Sequence, residues 1–180
     1  MKKITLIVFL LFTTFASTQN RMMTAKNGQI TFEASVPYFE PIKADNNKVR
    51  VAFDPKTQVL ECVALVADYD FELDLMKAHF NENYLESGRY PKATFRGKVE
   101  NFDLKKIDAE PKEHLVKGKL QLHGRSKMIT AKIYIKRTVK GIEMTSNFVL
   151  NPTDFKIEIP STVAGKIAKK VNTNLVVTLQ

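Results

Sequence analysis

The chain has 180 residues and is 44% hydrophobic, which suits one domain with a sizeable core and is too apolar for a disordered chain. A single cysteine, Cys62, excludes an intrachain disulfide framework and a cysteine-cluster zinc site, and seven Gly with seven Pro exclude a collagen-like or proline-rich chain. The formal charge of +9 invites a nucleic-acid reading, and the N-terminus argues against it.

Lys2 and Lys3 precede an apolar run from Ile4 to Phe15, broken only by threonines, and the small or polar residues Ala16 to Asn20 follow. This is the three-part order of a secretory signal peptide, and the run falls short of the ~20 apolar residues of a membrane span. The expected organisation is a signal peptide over residues 1–18, cleaved near Ala16 or Thr18, then one domain over 19–180, periplasmic or secreted. No cysteine stands at the boundary to carry a lipid. The exported domain keeps a charge of +7, unevenly placed: residues 19–90 carry 8 basic and 11 acidic side chains, residues 91–180 carry 18 and 8. An exported protein implies no nucleic-acid partner.

From residue 28 the dominant period is two, the spacing of strands with one face buried. Ile30, Phe32, Ala34 and Val36 share one face of Gln29 to Val36. Val49, Val51 and Phe53 form the next, and Asp54-Pro55-Lys56-Thr57 reads as a turn. Val59 to Phe71 is apolar on both faces at its start, with Val63 and Leu65 assigned inward. Asp74 is placed to cap a short helix reaching about Asn81, with Leu75, Met76, His79 and Phe80 on one side. Ala93, Phe95, Gly97 and Val99 then oppose Lys92, Thr94, Arg96 and Lys98. Val116, Gly118, Leu120 and Leu122 oppose Lys117, Lys119 and Gln121. Gly124-Arg125 fits a two-residue turn. Ile129, Ala131, Ile133 and Ile135 follow, Lys140-Gly141 turns the chain, and Ile142, Met144, Ser146 and Phe148 form the next inner face. Ser161 after Pro160 is placed to cap a second helix with Val163, Ala164 and Ile167 on one side. The last strand points Leu175, Val177 and Leu179 inward.

About eight strands, local turns and few helices predict an all-β fold. A sandwich fits the pattern, but Gly97 and Gly118 inside strands mark bends, and the later strands carry no proline. Both features favour an eight-stranded antiparallel barrel with one or two short helices.

Residues carrying chemistry are sparse. His79, His114 and His123 share no metal-ligand spacing. Asp68, Asp70, Glu72 and Asp74 alternate like part of a calcium loop, but Leu73 stands where that loop needs glycine, so they read as a solvated face. No nucleophile elbow and no phosphate-binding glycine loop occur. Catalytic residues, metal ligands and cofactors are therefore assigned to none. The outward lysines and arginine (Lys92, Arg96, Lys98, Lys117, Lys119, Lys132, Lys136) suit solubility, or contact with an anionic membrane surface or acidic partner.

The run Leu75–Val99, LMKAHFNENYLESGRYPKATFRGKV, and the strand–turn–strand Lys117–Ile129, KGKLQLHGRSKMI, resemble the YceI-like family. So do the exported start, Ile30-Thr31-Phe32 and the Phe148 to Pro160 stretch; the likeness covers about residues 25–180. It implies a lipocalin-like barrel around an apolar tunnel that binds a long isoprenoid or other lipid without catalysis. Better-known members carry an Arg-Asp pair and a His-Leu around the short helix, where this chain reads Asp74 to Asn81. Only the helix and the ESGRYP loop are carried over, as a cover over one tunnel end.

The expected function is thus an exported binding protein for an isoprenoid, quinone or other lipid. Phe32, Val63, Leu65, Phe95, Leu120, Leu122, Ile133, Met144, Phe148, Leu175 and Val177 would line the cavity. Leu75, Met76, His79 and Phe80 would stand at its mouth. The alternatives are a barrel filled by its own side chains, acting as an interaction or stress protein, and a cavity-based hydrolase or isomerase.

Overall fold

Alternation of β-branched or aromatic residues with Lys, Thr and Glu is what a sheet wet on one face selects. The computed structural model describes residues 22–180, so the expected signal segment lies outside the described residues. Its strands are β1 (Met23–Glu33), β2 (Lys43–Asp54), β3 (Val59–Leu65), β4 (Asp70–Phe71), β5 (Lys92–Val99), β6 (Lys112–Leu122), β7 (Arg125–Thr138), β8 (Gly141–Leu150) and β9 (Val171–Leu179). Every pairing is antiparallel, in the order β1-β9-β8-β7-β6-β5-β3-β2, and β1 also pairs with β2. Eight strands therefore close into a barrel, with the two-residue β4 added to the start of β2. Closure pairs the strand edges that would otherwise recruit other chains.

Turn chemistry sets the register. At the β2–β3 turn, Asp54 Oδ1 accepts from the Lys56 amide (2.9 Å) and Oδ2 from the Thr57 hydroxyl (2.8 Å). The β6–β7 ladder runs through to Leu122↔Arg125, so the central turn residues are His123 and Gly124, one place before the expected Gly124-Arg125. Both have positive φ, +48° and +68°, as a type I′ hairpin requires. At β7–β8, Thr138 pairs with Gly141, making Val139-Lys140 the connection in place of Lys140-Gly141.

Three other expectations are corrected. Val63 and Leu65 face outward. Leu60 and Cys62 pair directly with Phe53 and Val51, and directly opposed residues share a face, so the inner set of β3 is Leu60, Cys62 and Ala64. Asp74 does not cap the helix; α1 (Asp74–His79) starts after Leu73 with no side-chain cap, and a wider turn, Phe80–Tyr84, continues it. The second helix does not form. Residues 161–166 are successive turns, with Val163 N bonding Pro160 O (3.0 Å) and Lys166 N bonding Val163 O (2.8 Å). Thr162, Val163 and Gly165 are poor helix formers, and a segment this short has little tertiary packing to offset them.

The barrel interior is divided. Around Phe53, whose ring meets Phe102 edge-on at 4.8 Å, the side chains of Val49, Val99, Ile133, Ile135, Met144, Val177 and Leu179 fill one half. The other half is not filled.

Candidate functional site

The open half begins where β1 presents Ile30 and Phe32, Ala34 follows just past its end, and β6 presents Leu120 and Leu122. The chain beyond the strands folds over it: Val66 and Tyr69 after β3, Met76 and His79 of α1, Phe80 and Tyr84 of the turn that continues it, Leu85, then Phe155 to Ile167 between β8 and β9. These enclose a cavity of about 470 Å³. Ile30, Ala93 and Phe148 line it and also pack against the filled half, so they form its floor.

Phe80 holds the cover down. Its ring lies 5.4 Å from Phe32, 5.6 Å from Tyr69 and 5.0 Å from Phe71, centroid to centroid, within the range where aromatic pairs attract. The ESGRYP loop is anchored by the β6–β7 hairpin. His123 Nδ1 lies 3.1 Å from the Phe155 carbonyl, the Tyr90 ring meets the imidazole edge-on at 4.7 Å, and Tyr90 fills the space over Gly124. His123 is thus a half-buried turn residue that holds the 152–157 segment through the Phe155 carbonyl.

Of the sequence-derived lining residues, Phe32, Leu120, Leu122 and Phe148 line the cavity, and Met76, His79 and Phe80 do so from the helix. Ile133, Met144, Leu175 and Val177 point inward but belong to the filled half. Phe95 also points inward and packs against that half. Val63 and Leu65 lie outside the barrel, and Leu75 is exposed, off the lining. Sequence reasoning did not select Tyr69, Leu85, Phe155, Ile157 or Thr173. Thr173 was legible, one inner-facing step before Leu175; the others sit in irregular segments with no period to read. Val163 and Ile167 do reach the cavity, from turns and not from a helix.

The lining is apolar apart from a few groups. Glu40, His79 and Lys166 are exposed and stand at the mouth, where Lys166 Nζ lies 5.9 Å from the Phe39 ring centroid. Tyr69 is buried, which together with the nearby Cys62 thiol pushes its phenol well above the usual range, so it stays neutral. Thr173 is buried with its hydroxyl unpartnered. Among the described residues, no group of three or more His, Cys, Asp or Glu is placed to hold a metal.

Two of the four alternating acids and four of the seven outward basic residues form ion pairs. Asp68 meets Lys48 at 3.4 Å and Asp70 meets Lys77 at 2.6 Å. On the barrel wall Arg96 pairs with Glu61, Lys117 with Glu100 (2.9 Å), Lys132 with Glu113 (3.1 Å) and Lys136 with Glu143 (2.9 Å). Glu113 also accepts from the Tyr134 hydroxyl; these two bonds hold its carboxyl below the usual range. Exposed cross-strand pairs each stabilise by only ~0.2–1 kcal/mol, and they neutralise much of the wall.

The profile of the YceI-like domain matches residues 13–179. Among solved structures, a polyisoprenoid binding domain from Saccharophagus degradans, implicated in plant cell wall breakdown, superposes with a TM-score of 0.74 at 15% identity, over 88% of this chain and 97% of that one. BcnA of Burkholderia cenocepacia follows at 0.66 and 18%, over 84% and 96%. The YCEI protein of Campylobacter jejuni gives 0.56 and 22%, over 72% and 78%. At these identities the likeness is one of fold. No curated protein matches the chain.

Proposed function

The chain belongs to the YceI-like family, and from that premise we propose that it is an exported, non-catalytic carrier of an isoprenoid or other lipid held in the open half of its barrel. The observation that carries this reading is the apolar cavity of about 470 Å³ on a floor of core side chains. A barrel filled throughout, as an interaction protein would have, leaves no such space. The Saccharophagus degradans neighbour, described as polyisoprenoid binding, supports the ligand class. The Lys2-Lys3 start with its apolar run supports export.

Volume bounds the cargo. At ~30 Å³ per water-sized atom the cavity takes about 16 non-hydrogen atoms, three isoprene units or a comparable acyl segment. A longer chain extends through the mouth. At ~0.3 kcal/mol per atom, as larger ligands realise, that buried part contributes about 5 kcal/mol, submillimolar by itself. Tighter binding draws on polar contacts or on the mouth. There Tyr38 and Phe39 are exposed beside Lys166, with Lys169 and Lys170 following in the chain; these groups suit an anionic membrane surface from which cargo is taken.

Native mass spectrometry of the exported protein, before and after organic extraction, tests the reading. A lipid mass that extraction removes supports it. An unchanged mass, with no uptake of added prenyl lipids or quinones, overturns it. Leu120→Asp, which sets a charge on the cavity wall, should abolish uptake.

A further inference from the structure

Besides the Tyr69 phenol, three polar side chains are buried in the barrel among the described residues: Asn46, Ser146 and Thr173. Two are satisfied. Asn46 donates from Nδ2 to the Leu65 carbonyl (3.0 Å) and accepts the Lys48 amide at Oδ1 (2.9 Å), and Ser146 donates to the Lys132 carbonyl (2.7 Å). Thr173 is the exception: it is 8% exposed, and its Oγ1 is buried without a hydrogen-bond partner. The other unpartnered buried atoms belong to Asn81, His114 and His123, none of which lines the cavity.

Thr173 does line it. Its Cα partners are Phe32 on β1 and Phe148 on β8, both cavity residues, and the next inner residue of β9, Leu175, belongs to the filled half. Thr173 therefore sits deep, beside the floor. Leaving a buried donor unpaired costs stability directly, while pairing it inside an apolar site recovers that cost with little competition from water.

We propose that Thr173 is a ligand-anchoring residue whose hydroxyl pairs with an uncharged oxygen, a hydroxyl or carbonyl, carried by the lipid within the barrel. The oxygen is uncharged because Glu40, His79 and Lys166 stand at the exposed mouth and the buried Tyr69 phenol is neutral, so an ion at Thr173 would be buried without a counter-charge. The cargo then enters with its oxygenated end inward. This deepens the carrier reading and rests on the cavity being the lipid site.

Three fifteen-carbon probes test it: farnesol, with one hydroxyl; farnesene, with none; and farnesyl diphosphate, whose charge keeps its head at the mouth. Affinities are measured for wild type, Thr173→Val and Thr173→Ser. The expected result is a loss of about tenfold for farnesol in Thr173→Val, recovery in Thr173→Ser, and changes under twofold for the other two probes. The empty Thr173→Val protein should also melt no lower than wild type, since the variant removes an unpaired hydroxyl at constant shape. Equal farnesol affinity in wild type and Thr173→Val overturns the anchoring role, and so does an equal loss for all three probes. Failure of wild type to take up any probe overturns the carrier reading itself, a result distinct from either.

Discussion

Gly97 on β5 and Gly118 on β6 are Cα partners, and neither position has room for a side chain. A Cβ on Gly118 would overlap the Gly97 Cα and the Arg96 carbonyl. One on Gly97 would come within 2.5 Å of Phe95 Cζ and 2.6 Å of the Lys117 carbonyl oxygen. The bare pair lets two strands approach closely, and the Phe95 ring lies in the space beside them, against the filled half. The obstacle at Gly118 is backbone, which cannot rotate away. Gly118→Ala should destabilise the fold by about 3 kcal/mol, read as a lower urea midpoint at unchanged slope. A midpoint within error of wild type would refute the close approach.

The sequence revealed most of this frame. Alternation placed Val49, Val51, Phe53, Ile133, Ile135, Met144, Val177 and Leu179 inward because each strand has a wet face to set its phase. β3 had none. Val59 to Leu65 is apolar at nearly every position, so its phase comes from pairing with Phe53 and Val51, which only the folded sheet supplies. The same limit applied to the site. Alternation cannot distinguish inner residues that fill the barrel, such as Met144, from inner residues that line a space, such as Phe148. That depends on the Phe155 to Ile167 segment closing over the open end, and this segment follows no period.

Cys62 yields a pH prediction. Burial pushes its thiol up to about 12 from the ordinary 9.0. Below pH 9 both folded and unfolded chains keep the proton. Above it the unfolded chain releases the proton while the folded one retains it, so this residue's contribution to stability falls as pH rises from 9 toward 12. Cys62→Ala should therefore show a shallower decline of stability over pH 9–10.5 than wild type, by up to ~1.4 kcal/mol per pH unit. Iodoacetamide should label the native thiol far more slowly than the urea-unfolded one. Parallel stability curves would show that the folded thiol is not held protonated.

The mouth predicts a vesicle-binding variant. Tyr38 is fully exposed at positive φ beside Phe39 and lies outside the cavity lining, so its ring has no packing role to explain it. In co-sedimentation with vesicles of about one-third anionic lipid, Tyr38→Ser should lose severalfold in bound fraction, and wild-type binding should weaken as salt rises. Ligand affinity in detergent should not change. Equal sedimentation of both proteins would remove the aromatic loop from any membrane role.

Phe80 predicts exchange kinetics. It is the one residue of the cover whose ring meets Phe32, Tyr69 and Phe71 together, so it joins the helical turn to the barrel wall. It is half-buried, so truncation forfeits less than the ~3–5 kcal/mol of a fully buried phenylalanine; Phe80→Ala should cost about 2 kcal/mol. The larger effect should be kinetic. A cover freed from its aromatic contacts opens more often, so both uptake and release of a bound fluorescent lipid should quicken, by about tenfold, while their ratio changes less. Stopped-flow release into excess vesicles reads this directly. An unaltered release rate in a folded Phe80→Ala protein would mean that cargo does not pass beneath the helix, and would move the route to the Phe155 to Ile167 side of the mouth.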